Sequence, residues 1–374
     1  MSTAYPMRHR VFRGAHERGV ALLADAPYIH VATTTDAGVP VLRTVNAVVD
    51  EDMIAFHGAP AGEKLATLGR PVVIGAEDHV AQIPSYFMDP ERACPATTYF
   101  RSVQVHGLLQ RIDDPVRKAR ILSRLMAKHQ PEGRHVPITA DHPLYQKELA
   151  AILVAGVSLE HLDFKNKLGQ NRRADEIGKL LAGLWSRGQP GDLSAIELVR
   201  EANPEVIIPP ELGAPDGFRL EVGDGCSASR GAEAAALLEG AYWLGGLSRE
   251  AMAVAQRCAD AVVGLRDGTG ALVATARAVS DRVRTAWMYD VIVRPDWRGH
   301  GLGKAIVETL LRHPAVRDVQ MVRLGTRDAM SLYARFGFEI VGVTPTGATE
   351  MILRRTAPRE AWAQNGTGPA SVQR

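Results

Sequence analysis

From Tyr28 onward, apolar and polar residues alternate in short runs separated by turn formers: YIHVATTT, a turn at Asp36-Ala37-Gly38, VPVLRTVNAVVD, the polar pair Glu51-Asp52, then MIAFHG. A period of two over four to eight residues, broken by Gly, Asp and Pro, is the pattern of strands joined in a meander. Further strands are expected at PVVIGAED, TYFRSVQVHGLLQRID and ILVAGVSLEHLDFK. Helical spacing predicts helices near residues 61–68, 115–129 and 174–186. The second of these opens on Asp113-Asp114-Pro115, an N-cap followed by a proline whose missing N–H costs nothing in the first turn. Six or so strands with few helices point to a small β-barrel.

Near Asn203 the texture changes. The run NPEVIIPPELGAPDG holds four prolines and two glycines and cannot continue a helix or a central strand. After it the order is mixed: strands FRLEV, AVVGLRD, ALVATARAVSD and AWMYDVIV, a helix opening at Gly301, strand VQMVRLGT, a helix at 329–336, and strands FEIVGV and TEMIL, with an earlier helix near 232–239. Strands and helices interleaved in this way imply an α+β domain built on one mixed sheet. The expected organisation is a barrel domain over 1–203, a linker over 204–217, an α+β domain over 218–355 and a flexible polar tail over 356–374.

Composition narrows the classes. With 374 residues, two cores are expected, and 46% apolar against 23% charged residues fit a globular protein. Lys plus Arg number 44 and Asp plus Glu 42, a net charge of +2, so no general field favours nucleic acid or an anionic membrane, and any anion site must be local. Cys94, Cys226 and Cys258 are too far apart for a zinc knuckle or a disulfide framework, which suits a reducing cytoplasm. The arginine-bearing first twenty residues lack an apolar core, and no run approaches eighteen apolar residues, so neither export nor membrane spanning is expected. No H-E-x-x-H or Cys/His cluster suggests a catalytic metal.

The most specific segment is VIVRPDWRGHGLGKAIVETLL, an apolar strand leading through Arg298-Gly299-His300-Gly301-Leu302-Gly303-Lys304 into an amphipathic helix. Glycines let a backbone approach an anion closely, and a helix start directs unpaired N–H groups and the positive end of its dipole at the same point. A pyrophosphate suits that place. The Rossmann alternative needs a βαβ unit and a later acidic residue, which are lacking.

This segment resembles motif A of the GNAT N-acetyltransferases, with Arg298, Gly301 and Gly303 filling R-x-x-G-x-G/A. The stretch from Arg327 through Tyr333 to Phe336-Gly337-Phe338 resembles the family's motif B. The resemblance implies acetyl-CoA as donor, held by residues 298–304, with the strand amides near Val291 and Val293 binding the pantetheine and polarising the carbonyl. It implies Tyr333 as the acid that protonates the departing thiolate. An ammonium has no lone pair, so a base is also needed. Asp290 and Tyr289 are the nearest candidates, Asp281 and His300 weaker ones, and Asp260, Asp281 and Trp243 candidates for the amine pocket.

The first domain resembles the FMN-binding split barrels related to pyridoxamine-phosphate oxidase and the nitroimidazole-resistance reductases. The residues carrying the resemblance are 29–34, 40–46, 54–58, 62–64, 99–107 and the basic segment 165–172. A flavin phosphate needs cations and hydroxyls. Arg43, Thr44, Lys64, Arg101 and Ser102 are the candidates for it, and Asn46 for a ring edge. Lys167, Gln170, Asn171 and Arg172 either complete that pocket or cap the barrel. His57, His79 and His106 lie on or near strands, and some related barrels hold haem b through an axial histidine; His57 is the candidate ligand in that alternative. The resemblance implies a homodimer formed through the barrel.

The resulting expectation is a cytoplasmic bifunctional enzyme, acetylating a small amine in one domain and performing redox chemistry on a small nitrogenous substrate in the other. The alternative for the barrel is a haem site or a sensing module without catalysis.

Overall fold

The computed structural model describes residues 7, 9–61, 63–225 and 227–355; the side chains of residues 63, 64 and 228 are likewise outside the description. The expected tail 356–374 and Cys226 lie outside the described residues. The chain divides into two compact units, residues 1–82 with 97–171, and residues 83–96 with 172–374.

In the first unit the elements run α1 (His16–Asp25), β1 (Ile29–Thr34), β2 (Pro40–Val45), β3 (Ala47–Asp50), β4 (Met53–Gly58), α2 (Glu63–Ala66), β5 (Pro71–Ile83), β6 (Thr97–Leu108), β7 (Gln110–Ile112), α3 (Pro115–His129), α4 (Gln146–Ala151), β8 (Leu153–Ser158) and β9 (Leu162–Lys167). They form a five-stranded sheet, β2-β1-β5-β6-β9, and a four-stranded sheet, β3-β4-β8-β7. Strands β2 and β3 are almost one strand that passes from the first sheet to the second at Asn46. Val31, Ile74, Val103 and Phe164 from one sheet meet Ala47, Ile54 and Phe56 from the other in a single core, into which α1 inserts Leu22 and Leu23. The alternating strands turn their apolar sides inward, as the period-two pattern requires. The run Met53–Phe56 is buried throughout because α3 covers the outer side of its sheet, packing Ile121 and Leu125 on Val48, Ala55 and Val154.

Helix α3 begins where the sequence pattern places it. The Asp114 carboxylate accepts from the Arg117 amide at 2.7 Å, with proline in the first turn. Two expectations are revised. The apolar run 152–165 is two strands, since Leu159–His161 form a turn capped by the Ser158 hydroxyl. Six strands become nine among the described residues, and in this unit α1 and α4 lack counterparts in the sequence reading.

The second unit comprises α5 (Ala174–Arg187), α6 (Asp192–Ala202), β10 (Arg219–Gly223), α7 (Ala228–Leu237), α8 (Arg249–Arg257), β11 (Ala261–Arg266), β12 (Leu272–Ser280), β13 (Thr285–Val293), α9 (Leu302–Arg312), β14 (Met321–Thr326), α10 (Met330–Ala334), β15 (Glu339–Val343) and β16 (Thr349–Arg354). Its seven strands form one mixed sheet in the order β10-β11-β12-β13-β14-β16-β15, with β13 and β14 parallel and the other pairs antiparallel. Residues 172–203, expected with the barrel, pack in this unit instead. Phe87 fills the space beside Gly183 on α5, and Arg200 on α6 donates to the Leu220 carbonyl of β10 at 2.7 Å. Their own apolar faces, with Leu180, Leu184 and Ile196 fully buried, had no partner that spacing alone could reveal.

Candidate functional site

Strand β13 is irregular where the chemistry is expected. On β12 the register passes from Thr275 to Arg277, while on β13 it passes from Ile292 to Tyr289. Asp290 and Val291 therefore both oppose Ala276, a β-bulge in which the ladder cannot satisfy every backbone group. Asp290 takes the left-handed conformation with φ 54. That costs a residue with a Cβ on the order of 1–2 kcal/mol, and Asp and Asn tolerate it best. Successive strand residues normally face opposite sides, but the bulge brings Tyr289 and Asp290 to the same arginine. Arg277 lies over the Tyr289 ring at 4.7 Å, and its Nε donates to Asp290 Oδ2 at 2.6 Å. Trp243 Nε1 at 3.3 Å and the buried Gln256 Nε2 at 3.4 Å complete the donor set around this carboxylate.

Beyond β13 the chain turns through Pro295–Trp297 into the glycine segment. Gly299 and Gly301 have φ 82 and 78, so both positions require glycine whatever the space around them, and that space is open. Gly301 is the N-cap of α9 and the first intrahelical bond is Ala305 N–H to its carbonyl, which leaves the amides of Leu302, Gly303 and Lys304 without helical acceptors. Gly303 differs from the other two. A Cβ there would meet Val293 and Leu332 only at 3.8 Å, an ordinary contact. The same contacts show that the end of β13, the start of α9 and α10 converge on this residue. Arg298 donates Nε to the Val293 carbonyl at 3.3 Å, and His300 Nδ1 lies 3.0 Å from the Arg298 carbonyl, so both side chains brace the turn from its exposed side.

Tyr333 sits on α10, 6% exposed, with its ring edge-on to Phe338 at 5.9 Å. Burial, reinforced by Tyr242 and Asp328, pushes its phenol above the ordinary tyrosine range, so it keeps its proton through neutral pH. The turn 241–247 bridges the site. The Tyr242 hydroxyl donates to Asp328 at 3.2 Å and accepts from the Arg327 amide at 3.2 Å, while its neighbour Trp243 reaches Asp290. Asp260 and Asp281 are not part of this group. The Asp281 carboxylate accepts the amides of Val283, Arg284 and Thr285 in the hairpin before β13, and Asp260 accepts from Ser280 beside it. Five strand residues separate that hairpin from Asp290, about 17 Å at the rise of a strand. Arg277 and Gln256 were missed by the sequence reading. The signal available for Arg277 was a lone arginine in the otherwise small and apolar run ALVATARAV.

On the barrel the expected phosphate residues divide between two sides of the wall. Thr44 and Asn46 alternate with the inward Val45 and Ala47, His57 with the inward Phe56, and Ser102 with the inward Val103. Lys167 pairs with Phe100 on the outer side, its Nζ 5.4 Å from that ring and donating to the Thr97 hydroxyl at 2.5 Å at the end of the sheet. Arg43 and Arg101 have the opposite parity: Arg43 donates to the Leu42 carbonyl at 3.1 Å, and Arg101 is paired with Asp78, Nε to Oδ2 at 2.9 Å. Adjacent residues in sequence therefore do not share one side here. Gln170 closes a local turn, accepting from the Leu168 amide at 2.9 Å and donating to the Asn166 carbonyl at 2.7 Å. Lys64 lies on α2, its side chain outside the described residues. His30, not expected as a site residue, is 3.2 Å through Nδ1 from the Thr44 hydroxyl and 3.3 Å through Nε2 from Glu77. Among the described residues no group of three or more His, Cys, Asp or Glu could hold a metal ion, and no helix is long and apolar enough to cross a membrane.

Residues 250–340 match the family of acetyltransferase (GNAT) domains, and residues 15–166 match the pyridoxamine 5′-phosphate oxidase family. The chain thus carries a C-terminal GNAT acetyltransferase domain and an N-terminal pyridoxamine-oxidase-like domain. Among curated proteins it is similar to GCN5-related N-acetyltransferase 2, chloroplastic, of Arabidopsis thaliana, 41% identical over 69 residues, or 18% of this chain and 27% of that protein. It spans less than a third of that relative's length. Among solved structures it is similar to the flavocytochrome Anf3 from Azotobacter vinelandii, with 22% identity, 44% of this chain, 74% of that chain and a TM-score of 0.37. Another is the ribosomal-protein-S18-alanine N-acetyltransferase from Escherichia coli, with 22% identity, 38% and 97% coverage and a TM-score of 0.32.

Proposed function

We propose that the second unit transfers the acetyl group of acetyl-CoA to a small amine. The observation that carries this reading is the pair of left-handed glycines, Gly299 and Gly301, placing the free amides of Leu302, Gly303 and Lys304 directly after a bulged strand. Those amides and the α9 dipole hold the pyrophosphate, and Arg298, His300 and Lys304 flank it. The backbone at Val291 and Val293 takes the pantetheine and, at the bulge, the thioester carbonyl. The amine nitrogen forms the C–N bond as the C–S bond breaks. Tyr333 gives its proton to the departing thiolate, and the ammonium proton leaves by way of Asp290 or Tyr289 through water. Titration calorimetry with coenzyme A tests the reading: association is expected, weakened about tenfold or more in Gly301→Val; absence of heat with the native protein would overturn it.

For the first unit we propose an FMN-binding oxidoreductase-like domain acting on a small nitrogenous substrate and forming a homodimer in the cytoplasm. The donors present fit the group: Thr44, Asn46, Ser102 and Lys167 offer hydroxyl, amide and ammonium groups from the outer side of the wall. Ser102 and Lys167, on neighbouring strands, would hold the phosphate, Thr44 and Asn46 on the far edge would take a ring edge, and bound flavin would supply hydride transfer. His57, exposed at the end of β4, supports haem b as a second reading. The visible spectrum of the purified protein separates flavin, a Soret band and an empty sensing module.

A further inference from the structure

We infer that Arg277 is a positioning residue for the acyl group, acting through Asp290 on the bulge of β13; the inference rests on the acetyl-CoA reading above. Arg277 is directly across the ladder from Tyr289, the last regularly paired residue before the bulge. From there one guanidinium reaches two neighbours at once, stacking on the Tyr289 ring and pairing with the Asp290 carboxylate. The pair is nearly enclosed, its side chains 13% and 6% exposed. An ion pair removed from water in this way holds its geometry firmly, since breaking it leaves an uncompensated charge.

The carboxylate is tied from three directions. Arg277 holds it from β12, Gln256 from α8 and Trp243 from the turn after α7. The two neutral donors lie at 3.3 and 3.4 Å, against 2.6 Å for the guanidinium, so the arginine dominates. What these ties hold in place is a backbone conformation that Asp290 would otherwise leave, the left-handed φ of 54. That conformation sets which way the unpaired backbone groups of Asp290 and Val291 point. Arg277 therefore aims the groups that polarise the carbonyl without touching the substrate.

The test needs the carrier alone. Acetyl-CoA labelled with 13C at the carbonyl is bound to the full chain and its carbonyl stretch recorded by difference infrared spectroscopy, with affinity for coenzyme A measured in parallel. In the native protein the stretch moves to lower wavenumber on binding. Arg277→Met and Asp290→Asn abolish that displacement while the affinity for coenzyme A, set at the glycine turn, stays within about threefold. Arg277→Lys, which keeps the charge, retains part of the displacement and decides the matter if the methionine variant fails to fold. An undiminished displacement in the methionine and asparagine variants overturns the role of Arg277. No binding of the carrier to the native protein overturns the acetyltransferase reading itself.

Discussion

The two units encode their candidate sites in opposite ways. In the second, the chemistry sits in a few contiguous segments: a bulged strand, a turn with two glycines, and a helix start, followed thirty residues later by Tyr333. In the first, Thr44, Ser102 and Lys167 come from three strands of the five-stranded sheet and share its outer side only through strand register, while Asn46 sits at the junction of the two sheets and His57 on the other one. A local site can be altered decisively by one substitution, because each residue has a task that no neighbour duplicates. A distributed one spreads its hold over many weak contacts.

The largest effect expected from this contrast is at Tyr333. Tyr333→Phe removes the proton donor and leaves the ring packing on Phe338 intact, so turnover should fall by about 10²–10⁴-fold with coenzyme A affinity unchanged. Steady-state thiol release and calorimetry together check this, and unaltered turnover would remove the acid role. Next comes a matched pair of glycines, one in each unit. Gly301 and Gly38 have φ 78 and 77, both with open space around the missing side chain. Valine at either carries the same left-handed strain, on the order of 1–2 kcal/mol, and both variants should melt a few degrees lower. Only the valine at 301 should also weaken coenzyme A binding, by about tenfold or more; equal binding in both would separate the turn from the ligand.

The same contrast explains what could be read from the sequence. The glycine turn, the strand before it and the α3 cap are governed by residues within a few positions of one another, and these were legible. The bulge was not, because it exists only relative to β12, and Arg277 acquires its meaning from a register that no period discloses. On the barrel, Arg43 with Thr44 and Arg101 with Ser102 look like paired ligands because they are adjacent, yet adjacency in a strand separates side chains. The boundary near residue 203 failed for a similar reason: α5 and α6 are amphipathic helices whose apolar sides fit either core, and spacing does not say which.

Acid should distinguish the two units as well. His313 is fully buried beside α9, with Nε2 3.1 Å from the Gly223 carbonyl and Nδ1 accepting the Ala315 amide at 3.1 Å, so neither nitrogen has room for a second proton. Burial depresses it to about 3, with Arg282 and Arg317 adding to the effect. In the unfolded chain the imidazole takes a proton near pH 6.5. The stability it contributes is therefore complete above that pH and is lost as the pH falls toward about 3, by roughly 1.4 kcal/mol per pH unit at most. Hydrogen exchange at pH 7 and pH 5 should show amides of β10 and α9 losing protection and those of the barrel core keeping theirs; equal losses in both would deny His313 this part.

The smallest effects belong to the barrel, and they test whether its site is as distributed as the register implies. Thr44→Val, Ser102→Ala and Lys167→Met each remove one donor from the outer side, worth about 0.5–1.5 kcal/mol apiece. Each should weaken FMN binding by roughly two- to tenfold; riboflavin, which lacks the phosphate, should be insensitive to the Ser102 and Lys167 variants but not to Thr44→Val, since Thr44 lies three strands from Ser102 in the sheet order and serves the ring. Arg101→Met supplies the contrast within the same strand. Its guanidinium is committed to Asp78 on the other side of the wall, so the substitution should lower the melting temperature slightly and leave FMN affinity where it was. If fluorescence titration instead found Arg101 the dominant residue and Ser102 silent, the phosphate would lie on the inner parity of β6, and the division of the wall drawn from its register would have to be reversed.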